Sequence, residues 1–334
     1  MHTPLSKGRE RKARPGAALL KPERLSPGDT VGIVTPASPP PDPKDIDGFV
    51  QAIERLGFKP KLAPHARSRH GFLAGTDRDR AADLMSLFAD RRVKAVFCAR
   101  GGYGAGRLLA RLDYDAIRRH PKILLGFSDI TALHCALLTK AKLVSFHGPT
   151  ISSNLHQAGP SDFTVQCLVR TLTQPSAPGA ICRGYQEGTV TVLRRGRASG
   201  PLLGGNLSLL CTLLATPYQP SFKNRILFFE DIDEPPYRFD RMLTHLLNAG
   251  LLQQVAGVAI GINQGCVDSK ARTPGEYRQS LEDVLKERLL PLKVPIVAGL
   301  PFGHVRCNAT LPIGLQATLD ADHAGLHIDE PAVT

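Results

Sequence analysis

The feature that most constrains the fold of this chain is a repeated alternation of short apolar runs with longer amphipathic segments over residues 29–148. The apolar runs have strand length and lie at 31–34, 93–100, 122–127 and 143–148. The segments with helical spacing of apolar residues lie at 44–58, 77–90, 104–113 and 130–140. Strands that alternate with helices at this spacing predict an α/β domain whose parallel sheet is covered by helices on both faces.

The second half of the chain has a different composition. Residues 151–190 are rich in Ser, Gly, Pro and Gln, which is typical of a connection between domains. Strand-like runs follow at 189–195, 225–230 and 255–261, and helical segments follow at 237–250 and about 276–289. Because a single core stops growing efficiently near roughly 250–300 residues, a chain of 334 residues predicts two domains. We expect a flexible basic tail at 1–24, a first domain at 25–152, a linker at 153–188 and a second domain at 189–334.

Composition bounds the compartment and the partners. No apolar run approaches the roughly 20 residues that span a bilayer, and the basic N-terminus lacks the apolar stretch of a secretory signal. The 7 cysteines are scattered without zinc-finger or C-x-x-C spacing, which favours a reducing, cytoplasmic location. A formal charge of +12 raises the question of nucleic acid, but part of the excess lies in the predicted tail. With no tryptophan and 6% aromatic residues the chain has little to stack on bases, which argues against a nucleic-acid partner and leaves binding through the basic tail as the alternative.

Ligands of open parallel sheets bind beyond the carboxyl ends of the strands, so the residues that follow each strand are candidates for a site. The second apolar run, 93–100, ends in a glycine-rich turn, Arg100-Gly101-Gly102-Tyr103-Gly104. It is not a dinucleotide motif, because Arg107 stands where G-x-G-x-x-G needs its last glycine, and no P-loop pattern occurs in the sequence. Two interpretations stay open: a tight strand-to-helix turn, or exposed backbone N–H groups that bind a carboxylate or an oxyanion.

A serine and an aspartate interrupt the apolar sequence where a predicted strand meets a predicted helix. The stretch Gly126-Phe127-Ser128-Asp129-Ile130 matches the first half of the G-x-S-x-G nucleophile elbow, with isoleucine in place of the last glycine. Such a turn lifts the serine hydroxyl out of the sheet and directs the next backbone N–H toward the same space. Alternatively, Ser128 or Asp129 is a helix N-cap, a position that favours both residue types.

A serine nucleophile needs a base and an orienting carboxylate. His304 follows a Pro-Phe-Gly turn, and Glu230 ends the apolar run RILFF, so both are polar groups at the edge of predicted strands. The order Ser…Glu…His is one that hydrolase triads use. The acidic run 230–234 is the competing feature, since carboxylates also bind metals, but no His-x-His or His-E-x-x-H partner accompanies it. We therefore expect no metal.

Over residues 28–320 the chain resembles the L,D-carboxypeptidase family, the serine peptidases of murein tetrapeptide recycling. The motifs that carry the resemblance are RGGYGAGRLL, LLGFSDITALH, FHGP, GPLLGGNLSLL, LFFEDIDEPPYRFDRML and GLPFGH, in this order. The resemblance implies a Rossmann-like parallel-sheet N-terminal domain, a smaller β-rich C-terminal domain and an active site in the cleft between them. It also implies a homodimer.

The matching motifs give each candidate residue a role. The resemblance implies that Ser128 in GFSD is the nucleophile, Glu230 in LFFED the orienting carboxylate and His304 in PFGH the general base. It places the oxyanion donors at the backbone N–H groups of Asp129 and of Gly101-Gly102.

The implied reaction releases the terminal D-alanine from an L,D-amide bond of a murein tetrapeptide through an acyl-enzyme, without a cofactor. The substrate carboxylate must be recognised, and Arg100 and Tyr103 on the glycine-rich turn are candidates by position. Within the same resemblance, the alternative is a self-immunity hydrolase that cleaves microcin-type acyl-sulfamoyl adenylates. An adenine site commonly offers an aromatic stacking partner, for which the chain has Tyr185 or Phe163 but no tryptophan.

Overall fold

Two β-sheets organise the chain in the computed structural model, which describes residues 18–156, 160–267 and 279–334. The strands are β1 Thr30–Val34, β2 Lys59–Leu62, β3 Val93–Cys98, β4 Ile123–Gly126, β5 Ser145–His147, β6 Gly179–Ala180, β7 Thr191–Arg194, β8 Arg197–Asn206, β9 Ile226–Glu230, β10 Gly257–Ile262, β11 Ile296–Gly303, β12 Leu311–Ile313, β13 Gln316–Asp320 and β14 Gly325–Ile328. The α-helices are α1 Asp45–Arg55, α2 Asp77–Ala89, α3 Tyr114–Arg119, α4 Thr131–Ala136, α5 Asp162–Thr173, α6 Leu207–Thr212, α7 Pro236–Asn248 and α8 Leu281–Leu289.

The first sheet has the strand order β12-β5-β4-β3-β1-β2. Strands β1 to β5 run parallel, and β12 adds an antiparallel edge strand against β5. The central strands β1, β3 and β4 are almost wholly buried because helices cover both faces, which explains their continuous apolar runs. Val34 pairs with Cys98 in register, so the loops that follow β1 and β3 begin at the same edge of the sheet.

The second sheet has the order β6-β14-β13-β8-β9-β10-β11-β7. Its centre, β8 to β11, is parallel, and antiparallel strands flank it on both sides. Asn206 pairs with Glu230, and Ile262 with Gly303, so the polar residues at these strand ends lie at one edge. The predicted architecture, a Rossmann-like parallel sheet followed by a β-rich C-terminal region, is confirmed.

One apolar cluster continues from the first sheet into the second. Leu133 of α4, Leu203 of β8 and Phe228 of β9 belong to it and are fully buried. A second cluster lies on the other face of the first sheet and includes Phe49 of α1 and Leu168 of α5. The two halves of the chain therefore share a core.

Three local predictions differ from the structure. Residues 104–113 form a 3-10 turn at Ala105–Arg111 and no α-helix, following Gly104, whose φ of 123° is accessible to glycine. The helix predicted at 130–140 is α4 followed by a π-helical turn at Leu137–Ala141. Strand β2 was not predicted because its sequence, KPKL, has a single large apolar residue and a proline, as edge strands allow.

The predicted tail and linker are structured where the structure describes them. Residues 1–17 of the tail lie outside the described residues, whereas Leu20 N donates to Lys142 O at 2.6 Å and Arg24 N to Thr334 O at 3.0 Å. The predicted linker contains α5, whose N-cap Ser161 accepts from Thr164 N at 3.1 Å. The domain boundaries stay predictions. Within the described ranges, no helix is long and apolar enough to cross a membrane.

Candidate active site

Ser128 lies on a sharp, strained turn directly after β4. Its φ is 62°, in the left-handed region that a non-glycine residue enters at a cost of about 1–3 kcal/mol. The side chain is partly exposed. Gly126 is needed two residues earlier, because a Cβ there would stand 3.0 Å from the side chains of Cys98 and Ile130. This backbone is typical of a nucleophile elbow, which holds a serine hydroxyl above a parallel sheet.

The N-cap alternative for Ser128 and Asp129 does not describe their side chains. The 3-10 turn that begins at Ser128 and the helix α4 have no side-chain cap bond. The Asp129 carboxylate instead accepts a hydrogen bond from Ala105 N at 2.7 Å and is buried. Burial raises the pKa of Asp129 to about 6, against the opposing effects of this hydrogen bond and of the Arg80 charge.

The glycine-rich turn after β3 packs directly on Ser128. A Cβ on Gly101 would lie 3.0 Å from Ser128 Cβ and 3.2 Å from its Oγ. Gly102 has a φ of 97°, and a Cβ there would lie 2.5 Å from Ser38 Oγ. Ser38 closes the turn, since its N donates to Gly101 O at 3.2 Å and its Oγ accepts from Tyr103 N at 3.1 Å. Only glycines allow the backbone to approach the serine this closely.

Glu230 and His304 come from neighbouring parts of the second sheet and are in contact. Glu230 ends β9, His304 follows β11, and Nδ1 of the histidine lies 2.7 Å from Oε2 of the glutamate. Gly303 makes room for the pair, because a Cβ on it would lie 3.0 Å from Oε2. Glu230 has no exposed surface, and its second oxygen, Oε1, has no hydrogen-bond partner among the described residues. With Nδ1–H donating to the carboxylate, Nε2 is left as the basic nitrogen.

A cavity of about 530 Å³ opens beside His304 and is lined by both halves of the chain. The ring of Phe127, the residue before Ser128, lies 4.8 Å from the His304 ring at this cavity. Among the described residues, no aspartate or glutamate lines this cavity. The described lining residues are Pro41, Arg100, Phe127, Ser152, Ser153, Asn154, Ser161, Ile232, His304, Val305 and Arg306. Two guanidinium groups and several hydroxyl groups, without an opposing carboxylate, suit an anionic ligand.

The structure separates the two predicted substrate-binding residues. Arg100 lines the cavity beside His304, and its Nη1 donates to Pro39 O at 2.8 Å. Tyr103 instead lines a neighbouring cavity of about 370 Å³ that also borders Asp129. Its ring is 55% exposed and packs edge-on against Phe72 at 5.5 Å.

The acidic run 230–234 divides its side chains among separate partners. Asp231 accepts from Asn206 Nδ2 at 2.8 Å and from Ser208 N at 2.9 Å, while Glu234 pairs with Arg238 at 3.1 Å. In the part of the chain that the structure describes, no three His, Cys, Asp or Glu side chains are grouped to hold a metal ion.

Sequence reasoning missed three residues at this site. Arg306 and Asn154 line the cavity, and the Asn154 amide donates to Val305 O at 2.9 Å, beside His304. Arg80 is buried behind the glycine-rich turn. For Arg306 a signal existed, since it lies two residues after the predicted base, but nothing in the local sequence marks Asn154 or Arg80.

A parallel sheet that displays a serine, beside a second sheet that presents a histidine–carboxylate pair, is the architecture of a two-domain α/β hydrolase. Residues 31–148 match the LD-carboxypeptidase N-terminal domain, and residues 199–319 match the LD-carboxypeptidase C-terminal domain. The chain belongs to the LD-carboxypeptidase family of peptidases.

Known relatives cover most of the chain. A probable murein peptide carboxypeptidase of Bacillus subtilis is 42% identical over 305 residues, which is 90% of this chain and 91% of the relative. The microcin C7 self-immunity protein MccF of Escherichia coli is 26% identical over 333 residues, 92% of this chain and 94% of that protein. The crystal structure of a muramoyltetrapeptide carboxypeptidase from Oxalobacter formigenes superposes with a TM-score of 0.76 at 30% identity, covering 90% of this chain and 99% of the other.

Proposed function

We propose that this protein is a serine-type L,D-carboxypeptidase that removes the terminal D-alanine from murein tetrapeptides. Similarity to a probable murein peptide carboxypeptidase supports the substrate class. The observation that carries the mechanism is the Glu230–His304 pair, whose Oε2 and Nδ1 atoms lie 2.7 Å apart. His304 and Phe127 line the same cavity. Ser128, the next residue, has the strained φ of a displayed nucleophile.

In the proposed mechanism, Nε2 of His304 takes the Ser128 hydroxyl proton while Oγ attacks the carbonyl carbon of the scissile amide. Glu230 accepts the Nδ1 hydrogen bond, which holds the required tautomer and stabilises the imidazolium. The imidazolium then gives its proton to the amine of D-alanine, which leaves, and the peptide stays bound to Ser128 as an ester. A water molecule, deprotonated by the same histidine, hydrolyses the ester and restores the serine.

The negative charge of the tetrahedral intermediate needs hydrogen-bond donors. We assign this role to the backbone N–H groups of Asp129, Gly101 and Gly102, because the glycine-rich turn packs on Ser128. Arg100 and Arg306 line the cavity and are our candidates for binding the carboxylates of the substrate. Tyr103 borders the neighbouring cavity and is expected to contact the substrate from that side.

The test is Ser128→Ala, assayed by mass spectrometry for release of D-alanine from a murein tetrapeptide. We expect kcat to fall by about 10³-fold or more, since the nucleophile is lost. The melting temperature should not fall, because a partly exposed serine at a φ of 62° contributes little packing. A folded variant that keeps a tenth of the wild-type activity would eliminate Ser128 as the nucleophile.

The second candidate function is hydrolysis of acyl-sulfamoyl adenylates, favoured by the 26% identity to the microcin C7 self-immunity protein. The same triad would serve, and the two functions would differ in the cavity. With no tryptophan in the chain, base stacking would fall to another aromatic residue such as Tyr185 or Phe163. Incubation with both substrates separates the candidates: cleavage of the nucleotide conjugate alone would reverse our assignment.

We also propose that the protein is a homodimer that works in the cytoplasm. The dimer is implied by the family resemblance. The compartment is supported by the seven cysteines, all within the described residues and all unpaired. Light scattering of the purified chain measures its oligomeric state. Fractionation of cells followed by the D-alanine assay shows which compartment holds the activity.

A further inference from the structure

Arg80 is a fully buried arginine in the first half of the molecule, on the first turn of α2. Its exposed fraction is 1%, and burial of a guanidinium is costly unless fixed partners compensate for the lost water. Nη2 donates to Asp77 Oδ1 at 2.6 Å, and Nη1 donates to Gly104 O at 2.9 Å and to Pro36 O. Nε has no partner among the described residues. An incompletely paired buried charge is weak evidence for stability, so its position calls for another reason.

The two backbone carbonyls that Arg80 contacts belong to the two loops beside Ser128. Pro36 lies in the loop after β1, and Gly104 lies in the glycine-rich turn after β3. Ser38, two residues after Pro36, bonds to Gly101 O and to Tyr103 N of the same turn. Arg80 therefore connects both loops through buried hydrogen bonds, and it is not among the residues that line the cavity of His304.

The same peptide unit is held from its other side by Asp129. Arg80 binds the carbonyl oxygen of the Gly104–Ala105 peptide, and the Asp129 carboxylate binds its N–H at 2.7 Å. The positive group meets the negative end of the peptide dipole, and the negative group meets the positive end. A side chain would not fit at Gly104, since a Cβ on it would lie 2.5 Å from Leu73 Cδ2 and 2.8 Å from Arg80 Nη1. Each polar end of this peptide therefore has a buried charged partner.

We propose that Arg80 is a positioning residue that fixes the glycine-rich turn for binding of the oxyanion. The inference rests on the proposed function, because it takes the N–H groups of Gly101 and Gly102 as oxyanion donors. Donors that act on the transition state contribute to kcat and little to substrate affinity. Loss of Arg80 therefore lowers kcat by about 10- to 100-fold with KM nearly unchanged, as partial misalignment of such donors would.

The first experiment compares Arg80→Ala with Arg78→Ala in the D-alanine release assay. Arg78 is a matched control because it lies on the same helix, α2, but is exposed, and it lines neither of the two cavities described above. We expect Arg78→Ala to keep wild-type kcat and KM. For Arg80→Ala we expect the kcat loss, and we expect added guanidinium, far below denaturing concentrations, to restore part of it while an equal concentration of sodium chloride does not. An Arg80→Ala protein with the wild-type kcat, or with a raised KM as its only change, would overturn the proposal. A folded Arg80→Ala protein whose kcat guanidinium does not raise would overturn it as well.

Arg80→Lys covers the case in which the alanine variant does not fold. A lysine keeps the charge but cannot span Asp77 and both carbonyls with one ammonium group, so kcat should still fall. A folded Arg80→Lys protein with wild-type kcat contradicts the inference. Labelling of Ser128 by a fluorophosphonate separates failure of the Arg80 inference from failure of the proposed function. A wild-type protein that is not labelled would contradict the serine mechanism itself. A labelled wild type together with fully active Arg80 variants would contradict only the role of Arg80.

Discussion

A fully buried histidine, His147, lies in the apolar contact between the two halves of the molecule. His147 has no exposed surface, and among the described residues neither ring nitrogen has a partner. Its ring packs against Phe127 at 5.9 Å from the first half, and against Phe228 at 5.1 Å and Phe302 at 6.2 Å from the second. His134, equally buried, is bonded at both nitrogens, to Ser145 Oγ at 2.9 Å and to Gly126 O at 2.8 Å. The two residues are a natural matched pair.

We expect His147→Leu to stabilise the protein and His134→Leu to destabilise it. The first change removes unpaired polar atoms from an apolar site, whose burial costs about 1–3 kcal/mol. The second leaves the buried Ser145 hydroxyl without its histidine partner and removes one of the two donors to the Gly126 carbonyl, which keeps the Gly148 N–H at 3.1 Å. Chemical denaturation near neutral pH measures both free energies of unfolding. Destabilisation by His147→Leu of the same size as that by His134→Leu would mean that the His147 nitrogens do have partners in solution.

The gain from His147→Leu should grow as the pH falls from about 7.5 to about 5. Burial, with smaller effects of His134 and His304, holds the pKa of His147 well below its usual value. Below the unfolded value, about 6.5, the unfolded chain binds a proton at this histidine that the folded chain does not bind, so acidification favours unfolding. The wild type therefore loses stability through His147 as the pH falls, and the leucine variant does not.

The sequence predicts some of these residues and not others for a physical reason. Ser128, Glu230 and His304 each follow or end a strand, so the strand pattern alone places them at sheet edges, and the family resemblance assigns their roles. Arg80 acts through contacts with residues 24 and 44 positions away, and His147 lies between strands of both sheets. Such contacts exist only after the chain has folded, and no local pattern encodes them.

At the scale of elements, the turn between β3 and the following 3-10 turn sets how closely the backbone approaches Ser128. The sequence predicted the strand and the glycine-rich turn and left its role open. It did not predict the 3-10 geometry, since the apolar spacing of residues 105–111 also fits an α-helix. Two glycines of this region have very different surroundings. Gly101 packs on Ser128, whereas a Cβ on Gly106 would meet no atom within 4 Å.

We expect Gly101→Ala to lower kcat by about 10-fold or more and Gly106→Ala to leave it unchanged. The new methyl group of the first variant would lie 3.0 Å from Ser128 Cβ and 3.2 Å from Oγ, so serine or turn must move. Neither glycine has a positive φ, and neither variant is expected to strain the backbone. Steady-state kinetics with melting temperatures measure both effects. Equal kcat values in the two variants would show that the contact between turn and serine is unimportant.

At the scale of the whole molecule, the two halves are joined by more than the linker. Strand β12, from the end of the chain, completes the first sheet against β5. The hydroxyl of Thr131, at the start of α4 behind Ser128, accepts a buried hydrogen bond from Asn206 N of β8 at 2.9 Å. The sequence predicted two domains from length and composition, but it could not predict their shared core, because a mixed apolar cluster leaves no periodic signal.

These connections predict one cooperative unfolding transition for both halves. Because one apolar cluster contains residues of both sheets, unfolding of either half would expose part of the core of the other. Calorimetry should therefore give a single peak whose calorimetric and van't Hoff enthalpies agree.

Thr131→Val removes the buried acceptor for Asn206 N and should lower the temperature of that whole peak. The reason is that an unpaired buried N–H costs about 1–3 kcal/mol. Thr212→Val is the control, since Thr212 is exposed and bonds within its own helix, to Leu209 O at 2.8 Å. Two separate peaks, of which Thr131→Val shifts only one, would show that the halves fold independently, and the serine and its base would then belong to units free to move apart.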